Sequence, residues 1–172
     1  MKRTFFKTYI VLSSLFLLFA LTSCTVSYKL NGASIDYSKI RTISIADFPN
    51  MAPYVYPTLA NQFSESLRDK YSRQTRLQLL RTGGDLDLQG EIVGYDFTSI
   101  SIDTEGYASE MRLTLTINVR FTNKKNPEED FEKRYSAYQT TKDQIESVQD
   151  QLLVYMINDI TDEIYNDTVA KW

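Results

Sequence analysis

The most regular pattern in the chain is a strict alternation of apolar and polar residues between positions 111 and 122. The apolar positions are Met111, Leu113, Leu115, Ile117, Val119 and Phe121. The positions between them hold Arg112, Thr114, Thr116, Asn118, Arg120 and Thr122. Because successive side chains of a β-strand point to opposite faces, this pattern predicts a strand with one dry face and one polar face.

Four other segments have the composition of β-strands. They run from Arg41 to Asp47, from Arg76 to Leu80, onward from Leu86, and from Phe131 to Gln139. In the third of these segments the apolar residues change from even to odd positions at Gly94, which predicts a β-bulge or bend there. Gly83 and Gly84, between the second and third segments, predict a hairpin turn because glycine allows positive φ.

Two segments have the spacing of amphipathic helices. In the first, which follows Pro57 and ends near Arg73, the apolar positions are Leu59, Phe63, Leu67 and Tyr71. The second begins near Asp143, and its apolar stripe consists of Ile145, Val148, Leu152, Met156, Ile160 and Ile164, widened by Leu153 and Ile157. The order strand, helix, four strands, helix predicts an α+β fold. We expect a two-layer sandwich in which both helices pack on one face of a mostly antiparallel sheet of four to five strands.

The loop between the first strand and the first helix, residues 48–57, is rich in proline and aromatic side chains. It contains Phe48, Tyr54 and Tyr56 together with three of the four prolines of the chain. Proline makes the loop rigid. The aromatic rings either pack back on the domain or contact a partner, and we favour packing.

The amino-terminal segment has the parts of a secretory signal. A basic start, Lys2 and Arg3, precedes an apolar run over residues 9–21 that is shorter than the roughly 20 residues a membrane-spanning helix needs. The run ends at Leu21-Thr22-Ser23-Cys24, which looks like a bacterial lipobox and contains the only cysteine of the chain. We therefore expect a lipoprotein signal peptide over residues 1–23, lipid attachment at Cys24, a tether over residues 24–40 and one domain over residues 41–172. The alternative is a free thiol at Cys24.

Composition excludes several classes of function. Removal of residues 1–23 would leave 16 Lys and Arg against 22 Asp and Glu, a formal balance of −6, which argues against nucleic-acid binding. The chain has no histidine, which excludes Ser-His-Asp and Cys-His catalysis and histidine metal sites. Asp85 and Asp87, beside the glycine pair, are too few ligands for calcium and are interpreted as turn residues. We predict no enzyme activity, no cofactor and no metal.

Several cations are candidates for a binding surface on the polar side of the sheet. They are Arg112 and Arg120, Lys133 and Arg134 on the neighbouring strand, and Lys124 and Lys125 at the turn between the two strands. A patch of this kind would suit phosphate groups, because arginine offers paired donors. The alternative, which we favour, is that these side chains form cross-strand pairs with Glu91, Glu132 or Asp96.

Much of the chain also resembles a known family. The segments PTLANQFSESLRDKYSRQTRLQLL, GGDLDLQGEIVGY, RLTLTINVRFTNKKNPEEDFEKRYSAY and DEIYNDTVAKW are similar to the LptE lipopolysaccharide-assembly lipoproteins in their Bacteroidetes form. The resemblance implies an outer-membrane lipoprotein that plugs the β-barrel LptD and helps it assemble and pass lipopolysaccharide to the outer leaflet. It also implies two helices on a β-sheet, in agreement with the pattern.

The partners that this resemblance implies are an LptD-like outer-membrane β-barrel, lipopolysaccharide and, through the lipid anchor, the membrane. By resemblance to lipoprotein sorting signals, Thr25 in place of Asp after Cys24 favours the periplasmic side of the outer membrane. Two alternatives remain open. One is an independent lipoprotein that binds a lipid or glycan, and the other is an accessory of general β-barrel assembly.

Overall fold

The computed structural model describes residues 35–102 and 108–170, and the predicted signal sequence and Cys24 lie outside these ranges. Its elements are β1 (Thr42–Ile45), α1 (Leu59–Gln74), β2 (Gln78–Leu80), β3 (Leu86–Ile102), β4 (Ala108–Asn123), β5 (Phe131–Thr141) and α2 (Ile145–Thr168), with a short 3-10 turn at Pro127–Glu129. The predicted order of elements is confirmed. Within the described ranges, neither helix is long and apolar enough to span a membrane.

The five strands form one mixed sheet in the order β2-β1-β3-β4-β5. β1 is parallel to both of its neighbours, whereas the long pairings of β3 with β4 and of β4 with β5 are antiparallel. Most of the strand pairing is therefore antiparallel, as predicted. The two helices cover one face of the sheet, and the two-layer α+β arrangement is confirmed.

The hydrophobic core fills the space between the sheet and the helices. The apolar positions of β4 from Leu113 to Val119 are fully buried, and so are the four stripe residues of α1, Leu59, Phe63, Leu67 and Tyr71. In α2 the stripe is confirmed at Ile145 and from Met156 onward. Nearer its start, Gln149 and Leu153 take the buried positions, while Val148 and Leu152 are half-buried. The burial of Gln149 is possible because its side-chain amide has a hydrogen-bond partner in the core.

The predicted irregularity at Gly94 is a β-bulge. Ile92 lies opposite Ile117 and Gly94 lies opposite Thr116, so β3 has one extra residue, Val93, at this point. The extra residue turns Tyr95 toward the core, where it is fully buried. The change of parity in the sequence is thus explained, and the prediction is confirmed.

The hairpin predicted at Gly83 and Gly84 is wrong. β2 and β3 are not neighbours, because β1 lies between them and pairs with both. The segment from Arg81 to Asp85 instead crosses β1, with φ of 82° at Gly83. A Cβ atom at Gly84 would lie 2.5 Å from the backbone nitrogen of Ser44, so only glycine allows the crossing to approach β1 this closely.

Residues 46–57 run beside β3 and then close one end of the core. The backbone N–H of Met51 donates to the carbonyl of Ile92 at 2.8 Å. Phe48 is fully buried and meets Phe63 of α1 edge to face at 5.1 Å between ring centroids. Tyr54 stacks on Tyr95 at 5.7 Å. Packing of the aromatic residues on the domain is therefore confirmed.

Candidate functional site: the open face of the sheet

The sheet face opposite the helices, which we call the open face, is formed by polar side chains of three strands in register. It consists of Asp87, Gln89, Glu91, Asp96 and Thr98 of β3, Arg112, Thr114, Thr116, Asn118, Arg120 and Thr122 of β4, and Glu132, Arg134, Ser136, Tyr138 and Thr140 of β5. Three arginines stand among four carboxylates. The open face is therefore polar and nearly neutral, rather than basic.

Cross-strand pairs organise the centre of the open face. Arg120 donates from Nε and Nη2 to Glu132 Oε2, each at 3.2 Å, and Asn118 donates to Glu132 Oε1 at 3.0 Å. The hydrogen bond from Asn118, with those from Arg120, lowers the pKa of Glu132. Thr116 and Ser136 share a further hydrogen bond at 3.1 Å. Because these pairs are exposed, each adds little to the stability of the fold, but they fix the positions of the charges.

Arg112 lies farther along the same strand, beside Tyr138. Its guanidinium carbon is 4.6 Å from the centre of the Tyr138 ring, within cation–π distance. The Nε of Arg112 is buried and has no hydrogen-bond partner among the described residues. Tyr138 remains 59% exposed, so it is available to a partner.

The structure separates the six cations singled out in the sequence. Arg112, Arg120 and Arg134 lie on the open face, and Arg134 is opposite Asn118 in register. Lys133 points to the helix side, where it pairs with Asp167 of α2 at 2.6 Å. The two lysines at the β4–β5 turn also differ, since Lys125 pairs with Asp85 at 3.2 Å whereas Lys124 is exposed. Contact of any of them with lipopolysaccharide or a barrel stays a prediction.

Asp85 and Asp87 hold the crossing segment to β1. The Oδ2 of Asp85 accepts hydrogen bonds from the backbone N–H of Arg41 at 3.0 Å and of Thr42 at 3.1 Å. These donors, the N–H of Arg41 foremost, lower the pKa of Asp85. Asp87 accepts a hydrogen bond from the hydroxyl of Ser44. Within the described ranges, no three His, Cys, Asp or Glu side chains are grouped to hold a metal ion.

A cleft of about 460 Å³ lies at the end of the sheet where α2 begins. Tyr54, Phe97, Met111 and Ile145 contribute its apolar lining. Beside it, Gln149 donates to the hydroxyl of Tyr95 at 2.5 Å, and burial raises the pKa of Tyr95 to about 12. This cleft could not be predicted from the sequence, because its residues come from β3, β4, β5, α2 and the loop before α1. The Pro- and Tyr-rich loop was the one available signal.

The fold is shared with bacterial lipoproteins of known structure. The chain is similar to an uncharacterized lipoprotein B from Nitrosomonas europaea, with 17% identity and a TM-score of 0.51 over 76% of this chain and 83% of that one. A minor lipoprotein from Acinetobacter baumannii is 14% identical, with a TM-score of 0.52 over 76% of this chain and 94% of that one. The protein CT253 from Chlamydia trachomatis is 9% identical, with a TM-score of 0.55 over 76% of this chain and 99% of that one. At these identities the likeness concerns the fold alone.

The family model for lipopolysaccharide assembly, LptE, matches residues 40–168. The chain therefore belongs to the LptE family of lipopolysaccharide-assembly lipoproteins, which are not enzymes. No curated protein matches its sequence. The resemblance noted in the sequence is confirmed over most of the chain.

Proposed function

We propose that this chain is a subunit of the lipopolysaccharide translocon. In this role it occupies the lumen of an LptD-like outer-membrane β-barrel, helps the barrel assemble, and assists the passage of lipopolysaccharide to the outer leaflet. The role requires binding and shape rather than catalysis.

The open face is the observation that carries this proposal. The interior of a large outer-membrane barrel is polar, so a protein inside it must present polar groups to the wall. On the open face, Arg120 and Glu132 neutralise each other and Thr116 is bonded to Ser136. These pairs can lie against a polar wall without leaving a buried charge unpaired, whereas Arg134, which has no ion pair among the described residues, would need an acidic group of the wall. We place Arg112, Arg120 and Arg134 toward the wall.

Membrane attachment through Cys24 completes the proposal. We expect the acylated cysteine to hold the domain at the periplasmic side of the outer membrane. Since one chain of myristoyl length binds only marginally, a stable anchor needs more than one acyl chain. Mass spectrometry of the amino-terminal peptide tests this point, and an unmodified Cys24 would contradict it.

Binding of a lipid or glycan by an independent lipoprotein is the first alternative. That function calls for an enclosed apolar pocket between the sheet and the helices. Instead, Phe63 and Leu67 of α1 and Leu115 of β4 are fully buried in this layer. A packed layer is what a plug needs. The second alternative, an accessory of general β-barrel assembly, predicts that many different barrels bind the chain.

Co-purification tests the proposal directly. The tagged chain, extracted in mild detergent, should bring down one large β-barrel protein in constant ratio, and depletion of the chain should lower surface lipopolysaccharide. A monomer in the extract together with normal surface lipopolysaccharide would overturn the proposal. A mixture of many barrels would instead support the accessory of general assembly.

A further inference from the structure

β5 is the last strand of the sheet, and its outer edge is unpaired. Within residues 35–102 and 108–170 no strand pairs with this edge, since the sheet order ends at β5. The backbone N–H and C=O groups that point away from β4 therefore have no strand partner along Phe131–Thr141 among the described residues. An open edge of this kind is a template on which another strand can pair.

The two edges of the sheet differ in how well they are protected. Proteins usually protect an edge with a short strand, a charge, a proline or a bulge. The opposite edge follows this rule, because β2 has only three residues. β5 instead pairs with β4 without a bulge from Phe131 to Thr141. Its second half, residues 135–141 with the sequence YSAYQTT, contains no charge, proline or glycine.

We propose that residues 135–141 of β5 receive an extended segment of a partner protein as a sixth strand. The segment is uncharged over about seven residues, to match YSAYQTT, and acidic at both ends. As in other cases of strand addition, main-chain hydrogen bonds would supply the affinity. Side chains at alternate positions would supply the specificity. This binding mode is independent of the proposed barrel.

The charges at the two ends of this stretch select the partner. Arg134 precedes it and Lys142 follows it, and both are exposed. No ion pair or hydrogen bond to Arg134 is found among the described residues. Arg134 has the parity of the open face, and Lys142 follows the last residue of β5 in a bend, so acidic residues at the ends of a partner strand can lie close to both.

The same charges disfavour a second copy of this chain as the partner. In an antiparallel pair of two β5 edges centred on Tyr138, Arg134 of each copy lies at the end of the other strand, close to where Lys142 follows it. Like charges brought together on neighbouring strands are destabilising. A segment with acidic ends turns both of these contacts into attractions. At the centre, the exposed ring of Tyr138 suits a β-branched or aromatic residue opposite it.

A synthetic peptide tests this proposal on the full chain in detergent micelles. The peptide has seven alternating Thr and Val residues with Asp and Glu at each end. We expect saturable binding, together with slower amide hydrogen exchange in residues 135–141. The same peptide with a central proline should not bind, because proline removes a main-chain donor. Absence of binding, or protection confined to another element, would overturn the proposal.

A charge-reversal variant distinguishes binding at this edge from a general electrostatic effect. The double variant Arg134→Glu and Lys142→Glu should bind the acidic peptide about tenfold more weakly, and a peptide with lysines at its ends about tenfold more tightly. Lys124→Glu, which reverses the charge of another exposed residue at the β4–β5 turn, should change neither affinity more than about twofold. Protection of residues 135–141 that grows with protein concentration, without peptide, would identify a second copy instead and overturn the proposal.

Discussion

Asp85 and Thr42 are hydrogen-bonded to each other in both directions, although 43 residues separate them in the chain. The hydroxyl of Thr42 donates to Oδ2 of Asp85 at 2.9 Å, and the backbone N–H of Asp85 donates to the Thr42 hydroxyl oxygen at 2.8 Å. These bonds attach the segment that crosses β1 to the strand beneath it. They help fix β1 between β2 and β3.

The first prediction is that Asp85→Ala lowers the free energy of unfolding by about 1–3 kcal/mol, because several polar groups lose their acceptor. Equilibrium unfolding in urea measures the change. Glu128→Ala, which removes an exposed carboxylate from the 3-10 turn, is the matched control and should stay within about 0.5 kcal/mol of the wild type. Equal effects of the two substitutions would contradict a role of Asp85 in holding the crossing segment.

The second prediction concerns the pH dependence that follows from the same contacts. The pKa of Asp85 is lowered by its hydrogen bonds, first of all by the N–H of Arg41. Its stabilisation is therefore complete above the unfolded-state pKa of about 4 and is lost as the pH falls toward the folded-state pKa. The stability difference between the wild type and Asp85→Asn should shrink below about pH 4. Unfolding curves between pH 7 and pH 3 measure it, and a constant difference would refute the assignment.

The third prediction distinguishes the crossing segment from a hairpin. At Gly84 an alanine Cβ would meet backbone atoms of Ser44, Leu86 and Ile43 within 2.7 Å, so we expect Gly84→Ala to destabilise by at least about 2 kcal/mol. At Gly83 the space is open and only the positive φ opposes a side chain, at a cost of about 1–2 kcal/mol. Thermal unfolding of both variants compares them, and a larger effect at Gly83 would be inconsistent with the crossing.

The fourth prediction concerns Gln149 in the core. Tyr95→Phe leaves the side-chain amide of Gln149 without its hydroxyl partner and should lower the free energy of unfolding by about 1–2 kcal/mol. Gln149→Leu removes the amide itself and should lower the free energy of unfolding by less. The double variant should be more stable than the sum of the single effects implies, and a double-mutant cycle measures this coupling. Additive effects would show that the two groups do not interact.

The fifth prediction tests whether the open face contacts the barrel. Thr114→Trp places a large ring at the middle of this face, opposite Tyr138 in register, and should reduce barrel co-purification at least about tenfold. Thr114→Ala at the same position should leave it unchanged. Unfolding in urea shows whether both variants keep their stability. Full co-purification by a stably folded Thr114→Trp would place the contact on another face.

Strands and helices could be predicted because each buries a single face with its own period. The alternation along β4, the spacing of Phe63 and Leu67 in α1, and the change of parity at Gly94 are local signals of burial. No local signal of this kind shows which strands lie beside a given strand in the sheet. Gly83 and Gly84 permit a tight bend, but whether β2 pairs with β3 depends on where β1 lies.

The candidate site was harder to predict for a related reason. Lys133 has the parity of the buried Tyr135, which already indicates the helix side, yet its partner Asp167 is distant in sequence. Arg134 has the opposite parity and lies on the open face. The alternation of β5 therefore already predicted that these two neighbouring cations lie on opposite faces of the sheet. The pairing of Arg120 with Glu132, one of the cross-strand alternatives, needed the register of β5.

The length of β3 sets a distance along the molecule. The described chain begins at Ile35 beside Leu86, the first residue of β3, and the strand then continues for 17 residues. At 3.2–3.4 Å per residue this is about 55 Å, more than the roughly 40–45 Å of a bilayer with its headgroups. If the chain lies in a barrel lumen as proposed, a β3 aligned with the barrel axis is long enough to reach from one headgroup layer to the other. A single strand would then span the full depth of the membrane.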